Sequence, residues 1–177
     1  MKATGIVRRI DDLGRVIIPK ELRRSLRIYE GDPLELFTDS DSIVLKKYNV
    51  VGMIEDSESL LRSIQQIIQA PVLLCDRDKV IDATGISKAK YEGHAITDEL
   101  YQIIDKRNLY MQGEEKQPIR IFVEDEMIVE MVMPIAVNGE VFGALVIPKS
   151  GGDFHRDNAL LSLKLAAKYL NLHLERI

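Results

Sequence analysis

The sequence predicts an α+β fold in two parts, and three observations support this prediction. Within the first 50 residues, two runs rich in β-branched side chains surround a polar turn. From residue 53 onward, helical and strand patterns follow one another in an order typical of an antiparallel sheet with flanking helices. Basic charge is concentrated at one end of the chain. We therefore expect a small N-terminal domain, residues 1–50, and a larger C-terminal domain, residues 54–177.

The N-terminal part starts with two predicted short strands, residues 6–10 and 16–18, separated by the turn sequence DDLG at 11–14. Pro19 ends the second run and suits the first position of a helix, because it lacks the N–H that a helix start leaves unpaired. Helix-forming residues follow directly, several of them arginines. The pattern therefore predicts a strand, a turn, a strand and a short basic helix.

Charge separates the two parts further. Residues 1–27 hold eight basic and three acidic side chains, a net charge of +5, whereas the whole chain carries −4 and the remainder therefore −9. A basic head on an acidic body is typical of a nucleic-acid-binding module joined to a domain that does not bind nucleic acid. Most of these basic residues are arginines, whose planar guanidinium suits phosphate oxygens and guanine edges. On charge alone, a solvated charged hairpin remains the alternative.

The sequence GIVRRIDDLGRVIIPKELRR at 5–24, with GDPLEL at 31–36 and VLKKY at 44–48, resembles the AbrB-type swapped-hairpin DNA-binding domain. Arg9 and Ile17 stand where that family also takes Lys and Val. The resemblance implies that hairpins from two chains interleave into one β-barrel that binds double-stranded DNA. A domain this small buries little core alone, and a second chain would complete the core and cover the open strand edges.

The expected DNA-binding residues come from two arguments. By the resemblance, four arginines match the positions that meet DNA, and charge adds three further residues with a weaker argument. The four are Arg8, Arg15, Arg23 and Arg24, and the three are Lys2, Arg9 and Arg27. An interleaved dimer would present each of them twice.

Several elements are predicted in the C-terminal part. Apolar residues at helical spacing predict an amphipathic helix over 53–69, and Thr97 is a candidate N-cap for a second helix. Asn138-Gly139 between apolar runs is a strong hairpin signal. The predicted strands are 71–76, 79–84, 118–123, 127–137 and 141–148, and a final helix covers 154–177.

This order of elements resembles a GAF-like domain. The resemblance implies a small-molecule pocket covered by residues 86–108 and dimerisation through terminal helices, but no cyclic-nucleotide signature is present, so the ligand stays unknown. The last helix carries more apolar surface than one small sheet can cover. Because the connection between the domains is short, we expect a tetramer: a dimer through 1–50 and a second contact through the GAF-like helices.

No catalytic, metal or cofactor site is expected. The single cysteine, Cys75, excludes an internal disulfide and is predicted to be an inert core residue. His94, His155 and His173 lack a metal-ligand spacing. The acidic residues Asp76, Asp78 and Asp82 flank a predicted turn and are expected to be solvated.

Two classes of function remain at this point. The first, implied by the resemblance, is a bacterial DNA-binding regulator of sporulation genes, in which the GAF-like domain senses a small molecule or mediates assembly. The second is an antitoxin-like protein that regulates its own promoter and binds a partner protein. Because no apolar run approaches membrane-spanning length and no signal peptide opens the chain, we expect a cytoplasmic protein.

Overall fold

The structure is a computed structural model that describes residues 5–48, 51–54, 56–113, 117–151 and 155–175. The chain divides into two compact units, Met1–Tyr48 and Asn49–Ile177. The observed elements are mixed α and β, and the sheet of the second unit is antiparallel, so the predicted α+β class is confirmed. No helix among the described residues is long and apolar enough to cross a membrane.

The N-terminal unit contains one helix and one hairpin. Helix α1, Lys20–Ser25, follows Pro19 as predicted, and its first backbone bond runs from the Arg23 N–H to the Pro19 carbonyl. Strands β1, Leu34–Asp39, and β2, Ser42–Lys47, pair antiparallel with Leu36 opposite Leu45. A bond from the Tyr48 N–H to the Pro33 carbonyl extends this hairpin by one step.

The predicted strands over 6–10 and 16–18 are wrong for the single chain, in which neither run is a strand. Only the turn between them forms, closed by hydrogen bonds from Asp11 N–H to the Arg15 carbonyl and from Gly14 N–H to the Asp11 carbonyl. A strand needs a partner and a packed face, and an isolated pair of short strands is marginally stable in water. Val7 is 85% exposed and Ile17 78% exposed, so neither run has a packed face here.

The C-terminal unit is built on a five-stranded antiparallel sheet with the order β4-β3-β7-β6-β5. The hairpin predicted near residues 77–78 is confirmed by β3, Val72–Cys75, and β4, Val80–Thr84. Strands β6, Val129–Val137, and β7, Glu140–Pro148, are joined at Asn138 and Gly139. Both turn residues have positive φ, 50° and 82°, as the type I′ turn of a two-residue hairpin requires.

One predicted strand, 118–123, forms only isolated bridges, Arg120 with Ile128 and Ile96 with Phe122. The edge position next to β6 is taken by β5, Tyr110–Met111, which the sequence pattern did not predict. A two-residue strand is too short to show an alternating pattern, because alternation becomes visible only over about four residues.

Helices cover both faces of this sheet. Leu73 and Val146 form a buried cluster with residues of α4, Asp98–Asp105, and of the short helix α3, Lys88–Tyr91. Neighbouring strand residues point to the opposite face. There, helix α2, Ser57–Ile68, contacts β3 and β4, and helix α5, Arg156–Leu174, contacts α2 and β6.

Helix starts follow local chemistry. The predicted N-cap of α4 is confirmed: the Thr97 hydroxyl accepts from the Leu100 N–H at 3.2 Å and donates to the Arg120 carbonyl at 2.7 Å. Helix α2 begins later than the predicted residue 53, because Asp56 adopts a left-handed conformation with φ 62°. Val51–Met53 forms a 3₁₀ turn instead.

Candidate nucleic-acid interface

The turn at 11–15 is fixed by one carboxylate. Asp11 Oδ1 accepts from the N–H groups of Leu13 at 3.0 Å and Arg15 at 2.8 Å, and Oδ2 accepts from Arg15 Nε at 2.8 Å. The backbone bond from Arg15, then the guanidinium bond, hold the pKa of Asp11 below its ordinary value. The carboxylate therefore stays ionised at neutral pH and orients Arg15 while that side chain remains 69% exposed.

Sequence reasoning counted Asp11 only as an acidic turn residue and missed this positioning role. The signal was available, because an Asp whose side chain can reach the N–H two residues later is a common turn initiator. An Arg at the far end of that same turn adds a charge-assisted bond.

The other predicted DNA-binding residues fall into three groups. Arg8 and Arg9 lie before the turn, and Arg23 and Arg24 lie in the last turn of α1, all exposed. Arg27 is half-buried with φ 51°, and its carbonyl accepts a bond from the Lys47 ammonium, so its backbone helps to join α1 to β2. Lys2 lies outside the described residues.

Exposed apolar side chains accompany these arginines. Many large apolar residues of this unit are exposed by 37% or more, and its core in one chain is correspondingly small. They include Val7, Ile10, Leu13, Val16, Ile17, Leu26, Leu36, Ile43 and Leu45. An exposed apolar surface of this kind is typical of an interface with another chain.

In the C-terminal unit, the predicted core position of Cys75 is confirmed: the thiol is buried, and loss of solvation raises its pKa. The prediction that three turn acids are solvated is wrong for Asp82, which is 3% exposed and pairs with Lys88 at 2.8 Å. Asp76 is partly buried, and desolvation raises its pKa although two backbone N–H groups of the turn donate to it. Tertiary packing of α2 and α3 against β4 encloses Asp82, which a pattern of turn residues cannot indicate.

The described residues contain no group of three or more His, Cys, Asp or Glu side chains that could hold a metal ion. His94 packs with its ring edge-on to Phe122, at 6.3 Å between centroids. The histidine is therefore part of an aromatic cluster.

Helix α5 has two apolar sides. Its inner side, including Leu163 and Leu170, is fully buried. On the outside, four residues at spacings of three or four form what we call the α5 stripe. They are Leu161, 71% exposed, Leu165, 73%, Tyr169, 48%, and Leu172, 45%. The stripe is the apolar excess that the sequence predicted for this helix.

Exposed arginines on a small N-terminal unit, joined to a larger α+β unit, are the arrangement of a DNA-binding transcription regulator. A family model described as stage V sporulation protein T C-terminal, transcription factor, matches residues 54–175. The stage V sporulation protein T of Bacillus subtilis strain 168 is 43% identical over 150 residues, which cover 83% of this chain and 84% of that protein. The chain belongs to the stage V sporulation protein T family.

Further comparisons match parts of the chain. A model described as antidote-toxin recognition MazE, bacterial antitoxin, matches residues 7–51. The transition state regulatory protein AbrB of B. subtilis strain 168 is 62% identical over 48 residues, 27% of this chain and 50% of that protein. A crystal structure of a methyl-accepting chemotaxis protein, residues 122 to 287, shares the fold of the C-terminal unit, with a TM-score of 0.50, 14% identity, and coverage of 70% of this chain and 89% of that chain.

Proposed function

We propose that this protein binds double-stranded DNA through its N-terminal unit and regulates the transcription of sporulation genes. The observation that supports this most is the set of exposed arginines on and beside the turn at 11–15 and on α1, in a segment of net charge +5. Such a set provides the phosphate contacts that dominate affinity for DNA. A regulator of transcription acts where the chromosome lies, in the cytoplasm of a bacterium.

The test is a gel-shift titration of the full-length chain on genomic fragments from a spore-forming bacterium. We expect retarded complexes at salt concentrations near physiological, with a subset of fragments bound more tightly. The C-terminal unit is proposed to sense a small molecule, and adding metabolite extracts to the titration tests this role. A change in the affinity for DNA would support it. Equal weak binding to every fragment, with or without extract, would contradict a regulatory role.

The proposed DNA-binding form is a dimer in which two N-terminal units interleave. Its support is the exposure of the apolar runs at 6–10 and 16–18 together with the arginines between and beside them. Strands from a second chain would supply the missing hydrogen-bond partners and bury those side chains. Arg8, Arg15, Arg23 and Arg24 would then each occur twice on one surface.

The C-terminal unit provides a second proposed contact, the α5 stripe. Because the two contacts use different surfaces, pairing of α5 across dimers would give a tetramer with two DNA-binding barrels. We expect the double variant Leu161→Asp/Leu165→Asp to halve the mass of the full-length protein in sedimentation equilibrium, because four or more charges would be buried at the contact.

One control variant belongs to this experiment. Lys164→Asp changes charge at an exposed position on the same helix and is expected to leave the mass unchanged. Leu163 and Leu170 are unsuitable targets, because both are fully buried in the unit and charged substitutions there would unfold it. An unchanged mass for the double variant would refute the α5 contact.

The antitoxin-like alternative has one observation in its favour, the match of residues 7–51 to the MazE model. Toxin neutralisers typically continue as a disordered extension that wraps the toxin. Here, the residues that follow form a packed five-stranded sheet with helices, and they match a transcription-factor family. We therefore favour the regulator. We propose no catalytic role, and the burial of Cys75 supports that choice.

A further inference from the structure

Residues 86–92, which we call the strap, lie between β4 and the segment that leads to α4, and they contain α3. A glycine stands on each side, Gly85 with φ 75° and Gly93 with φ 80°. Both values lie in the left-handed region that residues with a Cβ rarely adopt. At Gly85 an added Cβ would also lie 2.9 Å from Pro71 Cα. The strap is therefore bounded by two positions that need glycine, a residue able to absorb large backbone rotations.

Side chains hold the strap in place. Among the described residues, its backbone hydrogen bonds stay within the strap or reach only the neighbouring His94, for example from Lys90 N–H to the Ser87 carbonyl and from Glu92 N–H to the Lys88 carbonyl. The first backbone bond to the sheet comes after it, from Gly93 N–H to the Val80 carbonyl. Displacing the strap would thus leave the sheet's own hydrogen bonds intact.

Cations of the strap contact carboxylates at both of its ends. At one end, Lys88 Nζ lies 2.8 Å from Asp82 Oδ1 and 3.9 Å from Oε2 of the exposed Glu58. At the other, Lys90 Nζ and the Tyr91 hydroxyl lie 3.2 and 3.0 Å from Asp125 Oδ2. The Tyr91 ring also stacks on Phe122 with centroids 5.0 Å apart, and Tyr91 is 8% exposed.

Asp82 is shared between the strap and α2. Its side chain is 5% exposed, and its Oδ2 accepts from the hydroxyl of Ser57, the first residue of α2, at 3.1 Å. The bond to Asp82 raises the pKa of Lys88, so the ammonium keeps its charge. Without Lys88, a buried carboxylate would be left with only the neutral donors of Ser57 and Ala83, which is costly.

We propose that the strap is a conformational switch: its release at Lys88 leaves the Asp82 charge uncompensated and loosens the first turn of α2, the first α-helix of the C-terminal unit. Movement of the strap is transmitted in this way mainly through the buried Asp82, because the other contact of Lys88 with α2 is a 3.9 Å approach to Oε2 of the exposed Glu58. Coupling of this kind is reciprocal, so loosening the start of α2 also loosens the strap.

Amide hydrogen exchange of the full-length protein, followed by mass spectrometry, tests this coupling. In Lys88→Met we expect amide exchange to become about tenfold faster both in the strap and over residues 56–61, because Lys88 of the strap and Ser57 of α2 both bind Asp82. The matched control is Lys90→Met, which removes a cation from the same strap but from Asp125. There, only the strap and residues 123–127 should exchange faster.

Unchanged exchange over 56–61 in Lys88→Met would overturn the proposal, as would an equal effect there from Lys90→Met. In the double variant Asp82→Asn/Lys88→Met no buried charge is left unpaired, so exchange over 56–61 should return toward the original rate. If it stays as fast as in Lys88→Met, transmission through the Asp82 charge is refuted.

A milder variant covers the case in which Lys88→Met does not fold. Ser57→Ala removes only the α2 side of the link, and we expect the strap to exchange about threefold faster as the reciprocal effect. A strap that exchanges at the original rate in Ser57→Ala would contradict the coupling.

Discussion

Replacing Arg8, Arg15, Arg23 and Arg24 together by alanine is expected to lower the affinity of the full-length protein for double-stranded DNA by at least about a thousandfold at moderate salt. All four side chains are exposed, two of them in the last turn of α1. A proposed dimer makes about eight cationic contacts with them, and a single Arg8→Ala or Arg23→Ala should already cost ~1–3 kcal/mol. Gel-shift or fluorescence titration measures both effects.

Salt dependence gives an independent measurement of the same contacts. For the original protein, log affinity should fall with log salt concentration at a slope of roughly −5 to −7, because bound phosphates release counterions. The slope should become much shallower in the quadruple variant, with a residual part from Lys2, Arg9 and Arg27. Normal affinity in that variant, or a flat salt response in the original protein, would refute the assigned interface.

The control removes the same number of charges from the C-terminal unit. Alanine at four exposed cations there should leave the affinity for DNA and the slope of its salt dependence close to the original values, because the proposed interface lies in the N-terminal unit. Suitable positions are Arg62, Lys79, Lys106 and Lys149. A comparable loss of binding in the control would show that overall charge, and no local surface, drives association.

Gly143→Ala is expected to destabilise the C-terminal unit by ~3 kcal/mol or more, at the upper end of overpacking effects. Gly143 lies in β7, and a Cβ there would stand 2.1 Å from the Cys75 carbonyl oxygen and 3.2 Å from Asp76 Cα. Both are backbone atoms of the adjacent strand region, so no side-chain rotation relieves the clash. Urea unfolding followed by circular dichroism measures the loss.

Gly151→Ala is the matched control, because a Cβ at that exposed glycine meets no atom within 4 Å. Its free energy of unfolding should stay within about 0.5 kcal/mol of the original. If Gly143→Ala unfolded at the same urea concentration as Gly151→Ala, the close approach of the two strands would be contradicted.

Several features could be predicted because the responsible chemistry is local. Asn138-Gly139 adopts positive φ at both positions, which few other residue pairs tolerate. These two residues were therefore enough to predict the β6–β7 hairpin. Thr97 caps α4 through a bond to an N–H three residues away. The turn predicted at 11–14 also formed, although the runs on either side of it are not strands in one chain.

The sequence by itself determined the α+β class and the basic N-terminal segment with its arginines. It also determined the amphipathic or apolar character of α1, α2, α4 and α5, because backbone propensity and side-chain periodicity act over a few residues. Only the tertiary structure decided which side of α5 is buried and which carries the α5 stripe, since a helix that is apolar nearly all round gives no direction until it packs. The burial of Asp82 was likewise decided by the tertiary structure, because it depends on α2 and α3 meeting at β4. Position 143 must be glycine for the same kind of reason, because the backbone of Cys75 leaves no room for a Cβ there.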